Sequence, residues 1–362
     1  MNKKHPSAWD PAIMLLNILV SVIGSIIGLE LIARLGISTN TSIIGALFAI
    51  IIARIPLKVF QKYKDINTQN LVQTAMSGAT FAASNGIFLS IGIPYLLGRH
   101  DLVIPMLVGA SLAVIIDATI LYKVFDTEMF PAKEAWAPGI AAAEAMLAVA
   151  EKGKNSVILM IGMVGGIVGK IFGIPTDILG VGWIGNMWAL GAFGVGLLIS
   201  EYTPKFFNIK LGDYYVPHGV MIGAGFVALI QMILILQKKS KKEKEAAAAE
   251  AATGKVEKKE FTRSLKSMKF SLAEGFGAYI LVSIVMAIMC GFSADMSAGM
   301  FVWWIIFAAL SAIISELIVG ISAMHSGWFP AFATAFIFLI LGMLFGFPPA
   351  QLAILVGFTS AT

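Results

Sequence analysis

The residues with the clearest chemistry are acidic side chains inside long apolar segments. Asp117 lies in the segment 102–122 and Glu316 in the segment 300–320, neither of which contains a Lys or Arg. An ionisable side chain at the centre of a membrane helix costs at least about 2.5–3.5 kcal/mol, so it needs a function or a partner to be retained there. Because burial favours the neutral carboxyl group, such residues can bind and release protons. We predict that the proton carriers are Asp117, Glu144 and Glu316. Alternatively, Asp117 pairs with Lys170.

A second set of candidates surrounds two prolines. Pro131 and Pro138 each remove a backbone donor and disfavour helix at the preceding residue. A new helix can begin at Pro138, and its first N–H groups would then face a polar solute. Broken helices at membrane depth form substrate sites in transporters. The predicted substrate contacts in this region are Glu134, Pro138, Gly139 and Glu144. Alternatively, Lys133 and Glu134 form a structural ion pair in a re-entrant loop.

Uncharged hydrogen-bonding residues form a third set. Asn70, Gln73 and Ser77 are three and four residues apart, which places them on one face of a helix. Amide and hydroxyl groups of this kind can bind peptide bonds, so we predict that these three residues contact a substrate. Alternatively, they form hydrogen bonds between helices, which contribute only about 0.6 kcal/mol each.

The remaining reactive residue types do not form a catalytic or metal-binding pattern. The chain has one Cys, Cys290, and four His. Their spacing matches no metal-ligand motif or catalytic triad, so we predict no catalytic residue, no metal site, no cofactor and no enzymatic activity.

The elements that hold these side chains must be membrane helices. Hydrophobic residues make up 58% of the 362 residues and charged residues 13%, and the mean hydropathy is +0.86. Soluble domains have about 25% charged residues, so most of this chain must face lipid. We therefore predict an all-α, polytopic transmembrane helix bundle with broken or re-entrant helices, whose main partner is the lipid bilayer.

Ten apolar segments have about the length of a span: 11–35, 41–60, 69–97, 102–122, 155–173, 181–200, 215–237, 271–290, 300–320 and 331–346. The third is interrupted by Gly92 and Pro94.

Positive charge is concentrated in one segment. Residues 238–269 contain 11 Lys or Arg and 5 Asp or Glu, whereas the rest of the chain has 15 and 16. This pattern argues against nucleic-acid binding and favours a cytoplasmic loop. The same rule places the N-terminus, with Lys3 and Lys4, in the cytoplasm. An even number of crossings is then required before the linker, so either 127–150 crosses the membrane or one neighbouring segment is re-entrant.

The charged segment divides the predicted fold. We predict an N-terminal transmembrane bundle at 1–237, a charged cytoplasmic linker at 238–269 and a C-terminal transmembrane bundle at 270–362. The sequence stops in apolar residues, so we expect a fragment whose C-terminal half is missing, or one part of a split protein. A homo-oligomer is an alternative.

Four stretches resemble a known transporter family in the same order along the chain. They are Asn70–Ala79, Phe130-Pro131 with Gly139–Glu144, Pro217–Gln231, and His325–Pro330 leading to Gly357. These motifs resemble the oligopeptide transporter family, in particular its bacterial members, which are related to the yellow-stripe-like carriers of metal chelates. One departure is the insertion Lys133–Trp136 after the Phe-Pro motif.

The resemblance implies secondary active transport, most simply proton-coupled symport of short oligopeptides across the inner membrane. It also implies further spans after Thr362. Uptake of a metal chelate is the first alternative, which a requirement for the metal would distinguish. A passive channel is the second, although broken helices that carry carboxylates favour gated binding.

Overall fold

A computed structural model describes residues 5–35, 45, 48, 51–52, 55–57, 63–134, 136–150, 154–173, 187–253, 261–326 and 330–362. The α-helices in these ranges are α1 (Pro11–Leu35), α2 (Ile66–Phe81), α3 (Leu89–Leu96), α4 (Val103–Val124), α5 (Ala137–Ala150), α6 (Lys154–Ile171), α7 (Met187–Phe207), α8 (Val216–Thr253), α9 (Leu265–Met289), α10 (Phe292–Asp295), α11 (Ala298–Ser326), α12 (Ala331–Leu344) and α13 (Pro349–Ala361).

The predicted all-α membrane fold is confirmed. The ranges described above contain no β-strand. Within them, five helical segments are long and apolar enough to cross a bilayer: Pro11–Glu30, Ile66–Leu96, His100–Val124, Leu265–Met289 and Ala298–His325. Most of the predicted span at 41–60 and the first part of that at 181–200 lie outside the described residues.

The third predicted span is one long helix, and its predicted interruption at Gly92 and Pro94 is wrong. A π-helix, Ala82–Phe88, joins α2 directly to α3, which contains Pro94 and continues to Leu96. Proline removes only its own N–H group, which a membrane helix tolerates when its surroundings satisfy the freed carbonyl. The irregular part of this span therefore lies in the π-helix, before both residues.

The contacts within the chain define two compact units. The first comprises Met1–Leu89 and Ala137–Pro217, and the second comprises Ser90–Trp136 and His218–Thr362. Each unit combines two segments that are distant in sequence. The bundles predicted at 1–237 and 270–362 are instead continuous stretches of the chain, so the units and the predicted bundles have different boundaries.

In the first unit, α1 and α2 lie parallel. Ser21 and Ser25 of α1 donate to the carbonyl oxygens of Ala75 and Ala79, at 3.2 and 3.3 Å. The two bonded residues are 54 positions apart in both pairs, so the two helices run in the same direction. Gly24 permits this approach, because a Cβ at that position would lie 2.8 Å from the Met76 carbonyl oxygen.

In the second unit, α4, α9 and α11 form the core. A Cβ at Gly109 would meet Met286 and one at Gly275 would meet Ile120, so α4 and α9 are antiparallel with small residues at their interface. Tyr279 of α9 bonds to Glu316 of α11, and Phe292, at the start of α10 just after α9, packs on Trp304 near the start of α11, so α9 and α11 are also antiparallel. It follows that α4 and α11 are parallel.

Two shorter helices, α12 and α13, pack on this core through hydroxyl pairs. Ser315 of α11 lies 3.0 Å from the Thr334 hydroxyl of α12, and Ser311 lies 2.9 Å from the Thr359 hydroxyl of α13. All four side chains are buried. These contacts satisfy polar groups that would otherwise be costly in an apolar interior.

Candidate functional site

The core of the second unit brings three polar side chains to one level. A Cβ at Gly320 of α11 would lie 3.8 Å from Leu121 Cδ2 of α4. Asp117 and Glu316 lie one helical turn before these two residues on parallel helices. Tyr279 of α9 joins them from the antiparallel neighbour. The three residues, here called the carboxylate cluster, therefore come from three helices that are each long and apolar enough to cross a bilayer.

Tyr279 makes a direct bond in the cluster. Its hydroxyl donates to Glu316 Oε2 at 2.9 Å, and its ring packs edge-on against Phe358 with centroids 5.8 Å apart. Tyr279 is 0% exposed and Glu316 is 2% exposed. The second carboxylate oxygen, Glu316 Oε1, is buried and has no hydrogen-bond partner among the described residues. Glu316 Oε2 is thus held by Tyr279, whereas Glu316 Oε1 is available to bind a proton.

Asp117 is the more accessible carboxyl group. Its side chain is half-buried, and it interacts electrostatically with both Tyr279 and Glu316. No described basic residue forms an ion pair with either carboxylate. Two carboxylates without a neutralising cation repel each other in surroundings of low dielectric constant. Protonation removes this repulsion, so the cluster is suited to binding and releasing a proton.

Comparisons of the chain with protein-family models, curated proteins and solved structures found no match. The resemblance to the oligopeptide transporters therefore stays a prediction that rests on the four sequence motifs.

Two of the three predicted proton carriers, Asp117 and Glu316, lie together in the carboxylate cluster. Glu144 lies elsewhere, on α5 of the first unit, and its side chain is exposed. The alternative partner of Asp117, Lys170, lies on α6 of the first unit, and its side chain lies outside the described part of the chain.

The predicted substrate contacts in the first unit lie on two helices that pack together, α2 and α5. On α2, Asn70 is exposed, Ser77 is half-buried, and Gln73 is buried and accepts a hydrogen bond from Thr74 at 3.1 Å. The helix predicted to begin at Pro138 begins one residue earlier, at Ala137, so Pro138 and Gly139 form its first turn.

Glu134 lies in the second unit, in the loop between α4 and α5. Its Oε2 is 3.8 Å from Nδ1 of His325, near the end of α11. The alternative partner Lys133 is exposed. The Trp136 indole donates to the Pro131 carbonyl at 2.9 Å, and Phe130 is buried against Gly320. The loop is therefore an ordered feature that holds Glu134 beside His325.

Tyr279 was not among the candidates from sequence. A tyrosine in the middle of an apolar helix usually needs a partner for its hydroxyl, and Glu316 was an acid without one. That pairing is the signal that could have revealed it. Gln351 was also missed: it is 1% exposed, and both polar atoms of its side chain lack a partner among the described residues.

Proposed function

We propose that this protein is a secondary active transporter, which couples the uptake of a small polar solute to protons. The observation that carries the proposal is the carboxylate cluster, in which Asp117 and Glu316 lie at one level of two parallel spans that both pack on α9. Carboxylates at membrane depth mark ion and proton pathways because their desolvation is costly. The proton of the transport cycle binds at this cluster.

The burial of Glu316 supports a carrier rather than a passive channel. A carboxylate that is 2% exposed exchanges with water only when the surrounding helices move. Such movement is the basis of alternating access, in which a fixed site opens to one side of the membrane at a time. An open pore would instead keep its ionisable groups in contact with water.

Short oligopeptides are the proposed substrates. Two observations support them: the four motifs that resemble oligopeptide transporters, and the uncharged hydrogen-bonding residues of α2, which packs on α5. The proposed substrate contacts remain Asn70, Gln73, Ser77, Glu134, Pro138, Gly139 and Glu144.

The proposed location is the inner membrane, with the N-terminus and the linker 238–269 in the cytoplasm. The parallel arrangement of α1 and α2 supports part of this topology. If both helices cross the bilayer in the same direction, both begin on the same side of it. The segments that precede α1 and α2 then lie on one side, which the basic residues near both mark as cytoplasmic.

Uptake into proteoliposomes tests the proposal. The full-length chain is reconstituted with an inward proton gradient, and labelled di- to hexapeptides are added with and without a chelated metal. We expect metal-independent uptake that collapses when the gradient is dissipated. Glu316→Gln and Asp117→Asn should abolish gradient-driven uptake, because each removes a carboxyl group from the cluster with little change in shape.

Three outcomes would change this assignment. Uptake of the metal complex alone would identify a carrier of metal chelates. Uptake that both variants retain would remove the carboxylate cluster from the coupling mechanism. If Glu144→Gln alone lost gradient-driven uptake while substrate exchange persisted, the proton site would instead lie on α5.

A further inference from the structure

Asp117 and Glu316 lie on parallel helices at the same level, in a core that has no described cation between them. We infer that the two carboxyl groups act as a single-proton site, which exchanges one proton in each transport cycle and keeps the other bound. This inference rests on the proposed function and adds the number of protons that the site moves.

The titratable groups around Glu316 are few. From α4 it faces Asp117, and from α9 it faces Tyr279. The neighbouring α12 and α13 contain no titratable residue. The nearest basic residue of α4 is Lys123, which is bound to both carboxylate oxygens of Glu274 at 2.7 Å. No described cation is therefore available to neutralise a doubly charged pair.

These surroundings permit the loss of one proton and oppose the loss of a second. Loss of the first proton leaves one negative charge on the pair, which a hydrogen bond can stabilise. The second would leave two carboxylates side by side at membrane depth, where like charges repel strongly. The site therefore alternates between two bound protons and one.

The hydrogen bond of Tyr279 acts directly on Glu316. The hydroxyl donates to Glu316 Oε2 and so favours the carboxylate form of Glu316. Asp117, which is half-buried, is the more accessible entry point for a proton. A proton from water on one side enters at Asp117 and neutralises the single charge of the pair. Its return to water on the other side restores the single charge.

An infrared titration counts these protons directly. The full-length chain in liposomes is titrated with base while the absorption of protonated carboxyl groups is recorded for wild type, Asp117→Asn, Glu316→Gln and the double variant. After subtraction of the double variant, we expect wild type to lose the absorption of one carboxyl group, the same amplitude as a single variant. A wild-type amplitude twice that size, or none, would overturn the single-proton site.

A flux measurement tests the same number during transport. With the membrane potential held at zero, each pH unit of gradient supports tenfold accumulation for one proton and hundredfold for two. Tenfold accumulation is expected, and hundredfold would overturn the inference. If no gradient-driven uptake occurs, the proposed transport function fails, but the infrared titration still decides how many protons the cluster exchanges.

The variant Tyr279→Phe tests the placement of the charge. It keeps the ring against Phe358 and removes the donor to Glu316. We expect the midpoint of the infrared titration to move to higher pH by about one to two pH units, since a hydrogen bond to a charged group is lost. Tyr95→Phe, at an exposed tyrosine of α3, is the matched control and should leave the midpoint unchanged. An unchanged midpoint in Tyr279→Phe would show that the charge does not lie on Glu316.

Discussion

Glu316 depends on its neighbours for its place in an apolar bundle. The hydroxyl of Tyr279 satisfies one carboxylate oxygen, and a hydrogen bond to a charged group contributes about 1.5–3 kcal/mol. Removal of either partner leaves the other polar group buried without compensation, which is costly in a low-dielectric interior. Each member of the pair therefore depends on the other for its place in the core.

Another carboxylate, Asp126, forms its hydrogen bonds at the surface rather than in the core. It accepts hydrogen bonds from the Thr262 hydroxyl, from the Thr262 amide at 3.1 Å and from the Ala132 amide at 3.1 Å. These bonds, led by that of the Thr262 hydroxyl, hold the pKa of Asp126 below its usual value. They attach the end of the linker to the loop that follows α4.

The attachment should depend on pH in one direction. Because the pKa of Asp126 is lowered in the folded state, its contribution is complete above the ordinary value of about 3.9 and is lost as the pH falls through the lowered value. We expect amide hydrogen exchange at Thr262 to be slower in wild type than in Asp126→Asn near neutral pH. The difference should vanish under strongly acidic conditions. Equal exchange at both pH values would contradict the role of the charge.

At the level of helices, the contact between α1 and α2 depends on Gly24. A Cβ there would lie 2.8 Å from the backbone oxygen of Met76 and 2.8 Å from Thr80 Oγ1. Since a backbone atom cannot move aside cheaply, we expect Gly24→Ala to destabilise the protein by about 1–3 kcal/mol. Thermal unfolding in detergent measures this change.

Gly78 of α2 provides the control for this variant. An added Cβ there meets no atom within 4 Å, and replacement of glycine by alanine inside a helix is favourable by about 0.5–1 kcal/mol. Gly78→Ala should therefore be neutral or stabilising. If both variants behaved alike, close packing at Gly24 would not be what holds α1 to α2.

The helices themselves were largely predictable, because about 20 apolar residues in succession have few alternatives to a membrane helix. The span predicted at 102–122 is α4, Val103–Val124. The span predicted from 271 begins at Leu265, because Ser264 caps the helix by accepting from the Ser267 amide. The π-helix was not predictable from the sequence. The sequence could suggest Tyr279 as a partner for Glu316, but not the helix register that joins them, since that register depends on which helices are neighbours.

At the level of the whole molecule, the direction of α1 and α2 determines the path of the chain through the membrane. Two parallel helices that both cross the bilayer begin on the same side of it. The residues just before α1 and just before α2 should therefore lie on the same side.

Cysteine labelling in intact cells tests this arrangement. In a Cys290→Ala background, Ala8→Cys and Lys64→Cys should react alike with a membrane-impermeant reagent. Arg99→Cys should react from the opposite side, because it follows a helical segment that runs without interruption from Ile66 to Leu96. Opposite labelling of the first two positions would show that α1 and α2 do not both span the bilayer.

The helix α8 offers a rigid attachment point for a fusion partner in electron microscopy. It is continuous from Val216 to Thr253, and its 38 residues correspond to about 57 Å at 1.5 Å per residue. The apolar part ends at Lys238, so about 22 Å of helix continues into water. A small soluble helical domain, fused without a break in helical phase within Ala246–Ala249, would be held rigidly. It would give electron micrographs of this protein a feature for aligning particles.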